Sequence, residues 1–128
     1  MRFVIAMAFF VHGFAHTVGF VVPWKIASLD EAPYKTTLLN NKFDVGHMGI
    51  RVVGTLWLLA ALAFFAAGAL VLGRYQTWQT FALIVSLLST VLCVLGLPES
   101  KIGIPINIVI FVLVIAGRTL GWFDAIGI

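Results

Sequence analysis

The chain has 128 residues, 62% of them hydrophobic and 10% charged, with a mean hydropathy of +1.10. Soluble domains average about 45–50% apolar and about 25% charged residues, so the composition excludes an ordinary soluble domain and predicts an integral membrane protein. The net charge of +3 is small and scattered, which excludes nucleic acid as a partner, and the single cysteine excludes an internal disulfide and a multi-thiolate metal site.

Four hydrophobic runs follow one another at about 3–23, 46–72, 77–97 and 103–123. Each is near the roughly 20 residues needed to cross a bilayer. The first follows Met1-Arg2 and is read as a retained helix, because no small-residue cleavage site interrupts it before Pro23. Pro23-Trp24-Lys25 ends it at an interface. The segment 25–45 is the one long loop, and Ile26, Leu29, Leu38, Leu39 and Phe43 make it too apolar for a free linker. It is expected to form a short interfacial helix or a lid. Gly73-Arg74-Tyr75-Gln76 and Leu97-Pro98-Glu99-Ser100-Lys101 are short turns, so the second, third and fourth runs are antiparallel neighbours. The expectation is an all-α, integral membrane bundle of four transmembrane helices, forming one domain over residues 1–128. Small residues along the runs, such as Gly19, Gly54 and Gly117, suit close helix contact.

Polar residues gather toward the loop 25–45 end. His16 lies eight residues before Trp24, about 12 Å deep, and His12 about 18 Å deep at 1.5 Å per residue. The two histidines differ by about 40° around the helix and so share a face. His47 and Arg51 open the second run from the same side, and Asn107 enters the fourth. Ionisable groups inside a membrane segment usually serve a function. These five residues, His12, His16, His47, Arg51 and Asn107, are the candidate ligand-binding set, around a pocket covered by the long loop. His12, His16 and His47 are the candidate metal ligands, for a transition metal or haem. The residues leave open a plainer role for the histidines, hydrogen bonding to a serine or carbonyl on a neighbouring helix. Arg51 suits an anionic partner such as a carboxylate or lipid phosphate. Ser86, Ser89, Thr90 and Cys93 share one side of the third run and read as helix-packing groups.

The pattern His12-Gly13-x-x-His16-x-x-Gly19-Phe20 resembles the start of a family of uncharacterised bacterial four-helix membrane proteins. Gly54-Thr55-Leu56-Trp57-Leu58-Leu59-Ala60-Ala61, Ser86-Leu87-Leu88-Ser89 and Lys101-Ile102-Gly103 before Ile106-Asn107 are similar to its later helices. The chain also resembles, more loosely, DoxX-like membrane proteins in size and architecture. The resemblance implies a multi-pass protein of the bacterial plasma membrane and implies no activity.

Three functions are compatible with these residues: a small-ligand or lipid-binding membrane module, a metal- or haem-dependent oxidoreductase, and a structural homo-oligomer. Lys25, Lys35, Lys42, Arg51 and Lys101 outnumber Arg2, Arg74 and Arg118, which predicts a cytoplasmic loop 25–45 with both termini outside.

Overall fold

The structure is a computed structural model that describes residues 1–125 and Gly127; the single-domain reading over 1–128 includes Ile126 and Ile128, which lie outside the described residues. The chain is mostly helical: α1 (Arg2–His16), α2 (Val18–Val21), α3 (Gly46–Leu72), α4 (Trp78–Leu95), α5 (Gly103–Thr119) and α6 (Trp122–Ala125), with a small hairpin of β1 (Thr37–Leu38) and β2 (Phe43–Asp44) before α3. Three helical stretches, Arg2–Val21, Gly46–Leu72 and Trp78–Leu95, are long and apolar enough to cross a membrane, while α5 is an apolar helix of 17 residues.

The first hydrophobic run divides at Thr17. Its backbone N–H and its hydroxyl both donate to Phe14 O, at 3.0 and 2.7 Å, so the chain makes a tighter turn there before α2 resumes. The second run and α3 share the same ends, 46 and 72. The fourth is shorter than its hydrophobic run, because Leu120 and Gly121 (φ +67°) separate α5 from α6.

Helix α1 packs most extensively on α3, and α4 packs on both α3 and α5. Glycines set the α1–α3 distance. A Cβ on Gly13 would lie 2.9 Å from Ala61 O, and one on Gly19 would collide with the Trp57 ring. Phe10 meets Gly68, and Pro23 meets Gly54, so partners descend along α3 as they ascend along α1, and the two helices are antiparallel. The same holds for α4 and α5, where Cys93 meets Gly103 and Ser89 meets Asn107.

The core divides into two parts. The end carrying the N-terminus is aromatic and dense, with Phe9, Phe64, Trp78, Phe123 and Val71 in one cluster. The other end holds a smaller cluster of Trp57, Ala60, Leu92 and Cys93. The outer faces carry large exposed apolar side chains, among them Phe3, Phe14, Leu59, Leu87 and Val112, while His12, His16, Ser86, Ser89 and Asn107 are buried. A water-soluble bundle turns its apolar stripe inward and its polar face outward; here the interior is mainly apolar and the outer faces are apolar as well.

The loop before α3 has no helix. The expected interfacial helix is replaced by the hairpin, paired Thr37↔Asp44 and Leu38↔Phe43. Leu39, Asn40 and Asn41 all have positive φ, a left-handed run that turns the backbone tightly between the strands. That turn aims two backbone N–H groups at the end of α4: Leu39 N donates to Leu95 O (2.9 Å) and Asn40 N to Leu97 O (3.1 Å). A helix C-terminus leaves carbonyls without intrahelical partners, and the hairpin supplies donors for them. The hairpin therefore lies across the C-terminal end of α4.

Candidate functional site

His12, His16, Ser89 and Asn107 form a closed ring of hydrogen bonds linking α1, α4 and α5. His16 Nδ1 donates to the carbonyl of His12, one turn earlier in the same helix (2.9 Å). A neutral His16 then presents Nε2 as an acceptor, and the Ser89 hydroxyl donates to it (2.5 Å). Ser89 Oγ accepts from Asn107 Nδ2 (2.8 Å). Asn107 Oδ1 accepts from His12 Nε2 (2.9 Å), which closes the ring. Asn107 Nδ2 also approaches Cys93 Sγ at 3.6 Å.

The ring has one sense when all its members are neutral. Turning the Asn107 amide over would make Ser89 donate to Asn107, and His16 Nε2 would then have to donate to Ser89. His16 Nδ1 already donates to a carbonyl, so that arrangement requires an imidazolium. The observed sense assigns the tautomers: His16 carries its hydrogen on Nδ1 and His12 on Nε2. Phe64 packs on both imidazoles, with ring centroids 4.6 Å from His12 and 5.1 Å from His16, and Trp57 lies 5.1 Å from His16.

Beyond the ring, toward the hairpin, lies a cavity of about 300 Å³. His12 and His16 line its floor. Val18, Ile50, Val53 and Ile106 are among its walls, and Tyr34, Lys35 and Leu38 cover it from the loop. Leu38, on β1, is buried there. Lys35 holds the cover to the turn after α4, with Nζ 2.6 Å from Glu99 and donating to Leu97 O at 3.2 Å.

The structure brings His12, His16 and Asn107 together and leaves His47 and Arg51 outside. His47 is exposed and its Nδ1 shares a hydrogen bond with the Tyr34 hydroxyl (2.7 Å), with the two rings stacked. Arg51 is exposed, its guanidinium 5.6 Å from the Trp24 ring. The spacing of four in His47-x-x-x-Arg51 does put both on one side of α3, but both side chains are exposed. The inward face of the same helix is set by Ile50, Gly54, Trp57 and Ala61. The three-imidazole metal set is therefore corrected: His47 is on the outer face, both nitrogens of His16 are engaged, and among the described residues no group of three His, Cys, Asp or Glu side chains could hold a metal ion. The hydrogen-bonding role for the two buried histidines is the one the geometry displays.

Several site residues carry weak sequence signals. Ser89 and Cys93 were visible as a polar stripe and read as packing groups; Ser89 is a member of the ring and Cys93 borders it. Trp57 lies mid-helix, far from the interfacial belts where tryptophan usually sits, and that placement was the available hint. Nothing in the local pattern of Lys35 or Leu38 distinguished them from other loop residues. Outside the bundle, the Gly46 N–H and, secondarily, the Thr36 side chain hold the Asp44 carboxyl below its ordinary value, fixing the entry to α3.

Comparison of the chain with protein-family models, with curated proteins and with solved structures finds no match. The functional reading accordingly rests on the geometry of the ring and the cavity.

Proposed function

We propose that this chain is a multi-pass membrane bundle of four transmembrane helices that binds a small, uncharged, largely apolar molecule in the chamber beneath the hairpin. One observation carries the reading: a cavity of about 300 Å³ with mostly apolar walls, two buried histidines at its floor and a segment of loop as its cover. Small-molecule sites have this composition, an apolar hollow with a few placed polar groups, and begin at about this size.

The apolar outer faces support the membrane setting, since exposed Phe3, Phe14, Leu59, Leu87 and Val112 suit lipid as the surrounding solvent. Helix α5 rises about 25 Å at 1.5 Å per residue, short of the roughly 30 Å hydrocarbon core, a mismatch that local thinning of the bilayer accommodates at modest cost. The resemblance of the His12-Gly13-x-x-His16 region to bacterial four-helix proteins supports a plasma-membrane location. The lysine and arginine distribution favours a cytoplasmic hairpin.

An uncharged ligand is favoured over an anionic one. Arg51 is outside on Trp24, and Lys35, the cation at the chamber, is already paired with Glu99. A carboxylate entering this space would lose its hydration without gaining a free counter-charge.

The test is co-purification. The protein is extracted from its native membranes into nanodiscs, and bound molecules are extracted and identified by mass spectrometry beside a Val53→Trp variant that fills the chamber. The expected result is a molecule retained by the native chain and reduced at least fivefold in the variant, with helix content unchanged by circular dichroism. Identical extracts from both proteins would remove the reading.

A further inference from the structure

The walls of the chamber differ in exposure. Its lining residues from α3 and α4, such as Ile50, Val53, Trp57 and Cys93, are buried or half-buried. Ala15 on α1, Val18 on α2, Ile102 just before α5 and Ile106 within it line the same chamber and are exposed. All four are apolar. This exposure places the open side of the chamber along the seam between the first helical stretch and α5.

Little holds that seam together. Helix α1 packs on α3, and α5 packs on α4. Among the described residues, the hydrogen bond between His12 and Asn107 is the one that joins α1 to α5. From that bond toward the hairpin, Ala15 and Val18 follow three and six residues after His12, and Ile106 and Ile102 stand one and five residues before Asn107. Val18 and Ala15 lie six and nine residues before Trp24, about 9 and 14 Å below that interface at 1.5 Å per residue, a depth inside the roughly 30 Å hydrocarbon core. The aqueous side is closed by comparison. Leu38 is buried under the cover, and Lys35 is paired with Glu99. A molecule arriving from water has to displace that pair, whereas one arriving from lipid passes between apolar side chains.

We infer that the chamber opens sideways into the bilayer through a window between α1 and α5, and that its ligands are bilayer-resident lipophiles that enter by a hydrocarbon chain. The inference rests on the ligand-binding reading above and names the class and route of the ligand. The walls decide what suits the space. Left empty, they forfeit dispersion contacts. A buried water needs about two to four polar partners, and His16, Ser89, Asn107 and His12 Nε2 are already spent on the ring. A hydrocarbon chain needs none, and the bilayer presents chains at the window continuously.

The test places the full chain, perdeuterated except for its Ile and Val methyl groups, in nanodiscs of protonated phosphatidylcholine, whose acyl chain is the probe. NOE cross-peaks from each methyl to chain methylenes and to water are recorded. Ile50 and Val22 line the chamber and are 5% and 6% exposed, so the outer surface offers them little contact with lipid. Val112, exposed on α5, reports the bilayer, and Val114, buried one turn of chain away, reports the core. Chain cross-peaks are expected at Ile50, Val22 and Val112 and not at Val114. The variant Ala15→Phe/Ile106→Phe, changed at two exposed positions, should lose those of Ile50 and Val22 and keep that of Val112. Cross-peaks at Ile50 to water in place of chain, to a second copy in a sample mixing ¹²C- and ¹³C-methyl chains, or to neither would overturn the window; co-purification, which is indifferent to route, then decides separately whether the pocket stands. Chain cross-peaks at Ile50 that persist in the double variant would put the entrance elsewhere and overturn it as well. No chain cross-peak at Val112 would remove the membrane setting and the inference with it.

Discussion

The two ends of this helical core solve the same problem with different materials. At the end carrying the N-terminus, Phe9, Phe64, Trp78 and Phe123 stack edge and face in one cluster, with Trp78 4.7 Å from Phe123 and 6.2 Å from Phe9. At the hairpin end, four polar side chains tie α1, α4 and α5 together, and the space beyond them stays open. Dispersion contacts are numerous and individually weak, so an apolar end gains stability only by filling. Hydrogen bonds are directional, so a polar ring can hold helices at a fixed spacing beside a void. The dense end thus serves as an anchor that lets the other end remain hollow. Phe64 joins the two, touching Phe9 on one side and both imidazoles on the other.

This division predicts where the chain is most sensitive. Phe64 has no exposed surface, and Phe64→Ala would leave a cavity between the aromatic cluster and the ring. Such truncations typically cost about 3–5 kcal/mol. Detergent-driven unfolding in mixed micelles, followed by circular dichroism, should show the largest loss of any single substitution considered. A loss under about 1 kcal/mol would mean that the aromatic end does not anchor the fold.

The ring should rank second. Asn107→Leu keeps approximate volume while leaving His12 Nε2–H without its acceptor and Ser89 without its donor. Leaving a buried polar group unsatisfied costs about 1–3 kcal/mol. Replacing both partners removes the stranded group, so the double variant His12→Leu/Asn107→Leu should lose less than the two single losses combined. The same unfolding assay closes this double-mutant cycle. Strict additivity would show that the two side chains act independently and that the ring is not a unit.

The difference between the ends also explains what could be read without coordinates. Helix positions follow from hydrophobic run length, and α3 begins and ends where its run does because Gly46 and Gly73 bound it on either side. The gathering of polar residues at one end follows from counting depth along each run. Facing is harder. His12 and His16 share a face and both turn inward, whereas His47 and Arg51 share a face and turn outward. Spacing of four is identical in the two pairs; what separates them is the glycine pattern, since Gly13 brings α1 against Ala61 and Gly19 brings α2 against Trp57, committing that face of α3 to the interior. The hairpin was hidden for another reason. Its strands are two residues long, and its turn relies on positive φ at Leu39, for which no local sequence preference exists.

The smallest effect should come from the cover, where it sharpens the contrast between holding a structure together and closing it against water. Lys35 and Glu99 side chains are each 23% exposed and 2.6 Å apart. Partly exposed ion pairs contribute roughly 0.2–1 kcal/mol, so Lys35→Ala should scarcely alter global unfolding. It removes the one side chain that ties the loop to both Glu99 and Leu97 O. The amides of Leu39 and Asn40, which donate to Leu95 O and Leu97 O, should therefore exchange faster by about threefold, the factor that a contribution near 0.65 kcal/mol gives. Amides in the middle of α3 should not change. Hydrogen exchange by NMR resolves the two groups. Unchanged exchange at Leu39 and Asn40 would show that the backbone donors and the buried Leu38 hold the cover without the ion pair, and entry to the chamber from water would then depend on opening the hairpin itself.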